Sequence, residues 1–370
     1  MPLLDSTYVN TTTTSTHNPS SPHAATSTTP VGGGQPLPTV QVHALSAGHF
    51  SLPEEQFVFP FSPGSRRTVP SLCFLIQHST TESQTTRIVF DLGLRRDLSR
   101  YSAPIQQHLA TRQPLDTHPD VVTSLRRGGL GPEDINFVIY SHVHWDHVGE
   151  PRDFPSSTFI VGYGSLNILS GISHTSLRGG HSFFENDLLD QTRTIELLDP
   201  EVDNVGSNSP SYSHHADGHH AGEVGQQQMD FSQPWTPISE LNLPLTLDVF
   251  GDGSLYIVDA PGHLPGHINL LARTKQRWVY LAGDSCHDRR IMSREKEIGE
   301  WEDAQGNTCC IHANRSEAEE TIERIRGLER AGVEVIFSHD GEWEQRNQHR
   351  FFGAPSRQDQ GGQDTEMAMF

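Results

Sequence analysis

The chain lacks any uninterrupted apolar run of the ~18 residues needed to cross a bilayer, and no basic segment leading into an apolar one stands at its start. A soluble protein without a standard signal peptide, and without a membrane partner, is therefore the expectation. Cysteine is scarce as well. The four present (Cys73, Cys286, Cys309, Cys310) form no C-x-x-C pair, and a disulfide between adjacent Cys309 and Cys310 would be strained. A reducing, cytoplasmic setting is the simpler reading. Basic residues are the third deficit. Lys and Arg number 26 against 46 Asp and Glu, a formal charge of −20, and no basic run exceeds a pair. Nothing here attracts a phosphate backbone, so nucleic acid is excluded as a partner.

What is present is unevenly distributed over the 370 residues. Residues 1–38 are rich in Thr, Ser and Pro without apolar periodicity, and read as a disordered leader. From residue 39 the pattern becomes globular. Short apolar runs at 39–44, 71–77, 87–90, 137–140 and 158–161 predict strands, and 120–127 predicts a helix stopped by Gly128-Gly129. A helix is predicted to begin within 162–169. A low-complexity stretch at about 201–233, with His214-His215 and His219-His220, reads as a solvated insertion. Strands resume at 245–250 and 255–258, joined through the Gly251-Asp252-Gly253 turn, then at 268–272 and 278–281. Ser316-Glu317-Ala318-Glu319 resembles a capping box opening a helix to about Glu329, and 333–337 is a last buried strand. The tail at 354–370 is polar. Strands and helices in two successive blocks predict an α/β domain over 39–353, an αββα sandwich of two mixed sheets flanked by helices.

One stretch is dense in chemistry. Ser141-His142-Val143-His144-Trp145-Asp146-His147-Val148-Gly149 sets three imidazoles and a carboxylate within six positions, directly after a strand. If the strand continues, His142 and His144, two apart, point to one side and reach one ion. The turn beyond them then swings Asp146 and His147 toward a second ion. Such ligands suit zinc, ahead of iron and manganese. Further candidates fall at later strand ends: Pro261-Gly262-His263 with Pro265-Gly266-His267, then Gly283-Asp284, then Ser338-His339-Asp340.

In their order and types these motifs resemble the metallo-β-lactamase superfamily over about residues 40–350, and within it the dinuclear zinc lactonases that open acyl-homoserine lactones. The resemblance implies two zinc ions. His142, His144 and His263 would hold the first, Asp146, His147 and His339 the second, and Asp284 would bridge them. Asp91 matches a supporting aspartate, and His267 is expected to orient ligands without being one. Trp145 stands where the lactonases place an aromatic against the substrate, with packing as its other role, and Phe183 and Phe184 line a lid or belong to the core. His287 stands where lactonases often carry a tyrosine that contacts the substrate carbonyl. The 201–233 insertion and the leader depart from the family pattern.

The implied mechanism needs no protein nucleophile. A water activated between the zincs attacks a carbonyl, Asp146 passes its proton to the leaving atom, and His287 steadies the oxyanion. Cys286 is then a packed thiol. The expected substrate is a small cyclic ester, and relatives that open benzoxazolinone-type rings extend this to γ-lactams, cyclic carbamates and a role in detoxification. A glutathione thioesterase is the alternative, but after His339 the chain offers only Arg346, Arg350 and Arg357 for the glutathione carboxylates, and its −20 charge would repel them. A mononuclear iron sulfur dioxygenase shares the histidine motif, so metal content discriminates. A diiron oxidoreductase would place a glutamate at position 144.

Overall fold

The structure is a computed structural model that describes residues 36–81, 84–171, 183–202 and 229–355. Almost all of the expected leader, and most of the 201–233 insertion and the tail, lie outside the described residues. The first half of the chain carries β1 (Gln41–Pro53), β2 (Val58–Phe59), β3 (Arg66–Thr81), β4 (Gln84–Phe90), β5 (Phe137–Ile139), β6 (Thr158–Val161) and β7 (Thr194–Glu196). Helices α1 (Ala103–Leu109), α2 (Val121–Arg127), α3 (Trp145–Val148) and α4 (Ser165–Leu169) interrupt it. Except for β2, these strands pair in the order β1-β3-β4-β5-β6-β7, antiparallel at first and parallel from β4 onward.

The second half carries β8 (Thr236–Ile238), β9 (Leu243–Asp248), β10 (Leu255–Asp259), β11 (Ile268–Arg273), β12 (Trp278–Leu281), β13 (Glu297–Ile298), β14 (Glu300–Glu302), β15 (Thr308–Cys310) and β16 (Glu334–Ile336). Its helices are α5 (Arg289–Met292), α6 (Arg315–Arg330) and α7 (Gly341–Arg346). The second sheet runs β16-β12-β11-β10-β9-β8, antiparallel except for the parallel β12–β16 pair. β13 pairs with β2, and β14 with β15.

Side-chain alternation sets the layers. On β4, Ile88 and Phe90 enter the core between the sheets, where they join Leu270, Ala272, Leu281 and Ile336 of the second sheet. Val89, between them in sequence, faces the opposite way and packs with Val121, Val122 and Leu125 of α2 and Ile168 of α4. The outer face of the second sheet (Val258, Leu271, Tyr280) packs against Ala318, Ile322, Ile325 and Leu328 of α6, spaced as one helical stripe. Two mixed sheets with helices outside each make the αββα sandwich.

Several boundaries differ from the sequence expectation for identifiable reasons. β1 runs nine residues past Ala44 because Gly48, at φ +98, absorbs a register shift between Ser46 and His49 that breaks the alternation. The α6 cap is Asn314, whose side chain accepts from the Glu317 amide, so the Ser316 box does not start that helix. Asp120 caps α2 in the same way through the Thr123 amide. β5 stops at Ile139, leaving His142 and His144 beyond the strand in extended backbone (His144 φ −70, ψ 155). The strand argument for their common direction is therefore corrected. They converge because an irregular loop, ended by the one-turn helix α3, aims them together. No helix among the described residues is long and apolar enough to cross a membrane.

Candidate metal centre

Five strand ends deliver the polar groups. Asp91 follows β4, the 141–147 segment follows β5, His263 follows β10, Asp284 follows β12 and His339 follows β16. The side chains of these residues are buried.

They fall into two donor sets. In the first, His142 Nε2 lies 2.8 Å from His144 Nδ1 and 3.2 Å from His263 Nε2, and the latter two are 3.0 Å apart. Asp284 Oδ2 completes the set at 3.8 and 3.6 Å from His142 and His263. In the second, Asp284 Oδ1 lies 3.2 Å from His147 Nε2 and 3.3 Å from His339 Nε2, which stands 3.5 Å from Asp146 Oδ2. A tetrahedron with zinc–ligand bonds of about 2.0–2.1 Å has edges of about 3.4 Å, and these separations scatter around that value. Three ring nitrogens within mutual reach cannot satisfy one another with protons, since each pair needs one donor and one acceptor; a cation satisfies all three. His147 Nε2 and Asp284 Oδ1 are buried without a hydrogen bond, which again fits a positive ion between them. The residues present thus fit two metal ions sharing Asp284.

The next layer fixes which nitrogen faces each set. Asp91, at a strained φ of +62, accepts from the Ser141 amide and hydroxyl (both 2.7 Å) and from His147 Nδ1 (2.9 Å), leaving His147 Nε2 to face inward. Because the Ser141 hydroxyl proton goes to Asp91, its oxygen accepts from His142 Nδ1 at 3.0 Å. His339 Nδ1 donates to the Pro70 carbonyl at 2.8 Å. His267 has both nitrogens engaged: Nδ1 donates to the Ala260 carbonyl, and Nε2 accepts from the Asp284 amide at 3.1 Å. It holds Asp284 in place and has no lone pair left for an ion.

In the metal-free protein the same crowding moves the titrations. Burial and the neighbouring imidazoles hold His142 and His263 well below the usual histidine range. Burial would also lower His147, but Asp284 and Asp91 raise it well above that range. Burial raises the Asp146 carboxyl against the pull of His147 and His339. Asp284 drops well below the carboxylate range despite its burial, held down by His147, His339 and His287.

A narrow cavity of about 30 Å³ opens on the two sets, its apolar walls formed by Phe50, Leu52, Phe57, Trp145 and Ile311. Trp145 both lines this cavity and packs, edge-on to Phe50 and Tyr101. Phe184 stacks on the His144 ring, and Phe183 leans on His108. His287 faces the cavity with Nε2 3.1 Å from Asp284 Oδ2, while its Nδ1 is buried without a hydrogen bond. Cys286 donates to the Asp288 carbonyl, and burial pushes its thiol up to about 12, so it is packed and not nucleophilic. Sequence reasoning missed His108, Arg112 and His312. The His312 ring lies 5.2 Å from that of His263 and 5.3 Å from that of His287. Each is a lone polar residue outside any motif, and only the four-residue spacing of His108 and Arg112 on one helical face hinted at a shared direction.

Residues 66–331 match the family model for the metallo-β-lactamase superfamily. The chain is 29% identical over 269 residues to the monooxygenase mpaDE of Penicillium roqueforti, covering 70% of this chain and 27% of that one. It is 29% identical over 262 residues to the gamma-lactamase FDB1 of Fusarium pseudograminearum, covering 67% and 54% respectively. The chain thus spans between about a quarter and about half of these relatives. Among solved structures, an N-acyl homoserine lactone hydrolase with N-hexanoyl-L-homoserine at its catalytic metal center superposes with a TM-score of 0.55. The two are 17% identical, and the match covers 83% of this chain and 96% of that one. At that identity the likeness concerns the fold.

Proposed function

The chain belongs to the metallo-β-lactamase superfamily, and from that premise we propose that it is a two-zinc hydrolase opening a cyclic ester or a related γ-lactam or cyclic carbamate. The observation that carries the reading is the division of Asp284: one carboxylate oxygen faces each donor set, and both sets front one cavity. The gamma-lactamase relative supports the substrate class.

Two zinc ions in these sets would supply an activated water and polarise the scissile carbonyl. The protein's own groups do the rest. Asp146 borders the cavity beside His339 of the second donor set, and that position suits it to take the proton released on attack and return it to the leaving atom. His287 donates from Nε2 to Asp284 and so first orients the bridge; steadying an oxyanion would require that proton to be shared with the substrate. Phe50, Leu52, Phe57 and Trp145 exclude bulk water from the reacting atoms.

The test joins metal analysis to turnover. Purified protein should hold two zinc ions per chain, and kcat/KM should be compared on a γ-lactone, a benzoxazolinone and a glutathione thioester. Ring substrates should lead. A thioester preferred by more than about tenfold, roughly 1.4 kcal/mol of transition-state discrimination, would sink the reading. One equivalent of iron and no zinc would point to dioxygenation.

A further inference from the structure

Arg112 sits at the end of the 3-10 turn that continues α1, four residues after His108, and both side chains line the cavity over the metal centre. It is 5% exposed. Its single hydrogen bond runs from Nη2 to the neutral Gln56 Oε1 at 2.9 Å, and among the described residues no carboxylate reaches it within ion-pair distance. Residues 172–182, which precede the Phe183 wall, contain no Asp or Glu. Arg95, equally buried, shows how this chain otherwise treats such a group. Its guanidinium forks onto Glu185 and also bonds the carbonyls of Gly149 and Arg100.

A guanidinium taken out of water without a counter-ion is costly, and replacing it with an apolar side chain would ordinarily help stability. Its place on a cavity wall gives it something to do. Beyond ion-pair distance, the Asp146 carboxylate acts on Arg112 more strongly than the opposing charge of Arg66, whose Nη2 is on the Thr111 carbonyl; with a metal ion bound, Asp146 would be engaged by it. Two divalent ions at the centre would outweigh the carboxylates of Asp146 and Asp284. With both ions bound, the cavity would be electropositive inside a chain of net charge −20. Guanidinium geometry matches a carboxylate bidentately.

Resting on the ring-opening reading above, we propose that Arg112 is a specificity-determining residue that binds a carboxylate carried by the ring substrate, remote from the bond that breaks. The neighbouring His108, edge-on to Trp145 and tilted against Phe183, adds an aromatic edge beside that anion position.

The test uses the metal-loaded full chain and two γ-butyrolactones differing only at the γ-position, one a carboxylate and the other its carboxamide. The wild type should favour the acid by tenfold or more in kcat/KM, mostly through KM. Arg112→Gln should collapse that ratio toward one, and Arg112→Lys should recover part of it. Binding provides a second readout. The ring-opened product 2-hydroxyglutarate should raise the melting temperature of the wild type more than γ-hydroxybutyrate does, and Arg112→Gln should erase the difference. A wild-type ratio near one, or an equal loss on both lactones in Arg112→Gln, overturns the proposal. If neither lactone is hydrolysed while the Arg112-dependent thermal shift persists, the anion site stands and the ring-opening reading falls.

Discussion

Asp284 is the residue on which both donor sets depend, because its two oxygens are divided between them. Asp284→Asn replaces one oxygen by an amide nitrogen that cannot ligate. The expected result is fewer than one tightly held ion per chain by mass spectrometry, with turnover down by about 100-fold or more; a variant keeping both ions would refute the bridge. His267 makes a contrasting prediction. Its nitrogens are spent on the Ala260 carbonyl and the Asp284 amide, so His267→Ala leaves two buried backbone groups without partners, at about 1–3 kcal/mol each. Two ions should still bind, each about 10–100-fold more weakly, since an orienting contact is lost and not a ligand. Titration with a chelating competitor measures this, and outright loss of one ion would make His267 a ligand.

At the scale of elements, the turn after β10 shows how tightly backbone and ligand are coupled. Gly262 has φ +119, and a Cβ there would come 2.2 Å from the backbone nitrogen of Ala318 in the first turns of α6. The Gly262 and His263 carbonyls also accept from the Asn314 and Ala313 amides, so the loop holding His263 is docked onto the start of that helix. Gly262→Ala should cost about 2 kcal/mol or more and lower metal content through His263, measured together by chemical denaturation and metal analysis. Unchanged stability would mean that the helix can retreat. Elements of this kind also mark how far the sequence was legible. The central strands read clearly because 87–90, 268–272 and 278–281 are dense apolar runs, and the residues of the two donor sets stood out because they follow such runs. Arg112 and His312 did not, because their approach to the centre depends on how α1 and the 300–313 segment fold back, which no local pattern encodes. β1 was read short because its bulge at Gly48 hides the alternation, and the common aim of His142 and His144 was credited to a strand that ends before them.

For the whole molecule, net charge proved a poor guide to the site, since −20 is a sum over the chain and the cavity carries Arg112. Acidity tests a different whole-molecule property, the number of histidines folded in neutral form. Burial holds His267 at about 4, and burial with Arg112 nearby holds His108 at about 3; His142 and His263 also lie well below the usual range. As pH falls below the unfolded value of 6.5, the unfolded chain takes up protons that these folded side chains refuse. Stability is then lost at up to about 1.4 kcal/mol per pH unit for each such histidine. His147 and His339 are raised, so their contribution is already complete below 6.5 and is lost only as pH rises through their folded values. Carboxylates in the unfolded chain, near 4, stay largely ionised down to about pH 5. Burial raises the Asp259 carboxyl to about 7 and also raises Asp146, so these two take up protons in the folded state and offset part of the loss, but the four neutral histidines outnumber them between 6.5 and about 5. The metal-free protein should melt at progressively lower temperature across that window. The metal-loaded protein should gain its largest advantage above 6.5, where ligand imidazoles need not surrender protons. Melting curves of both forms over this range decide the matter: a metal-free melting temperature that stays flat or rises on acidification would mean that these histidines are not held neutral by the fold.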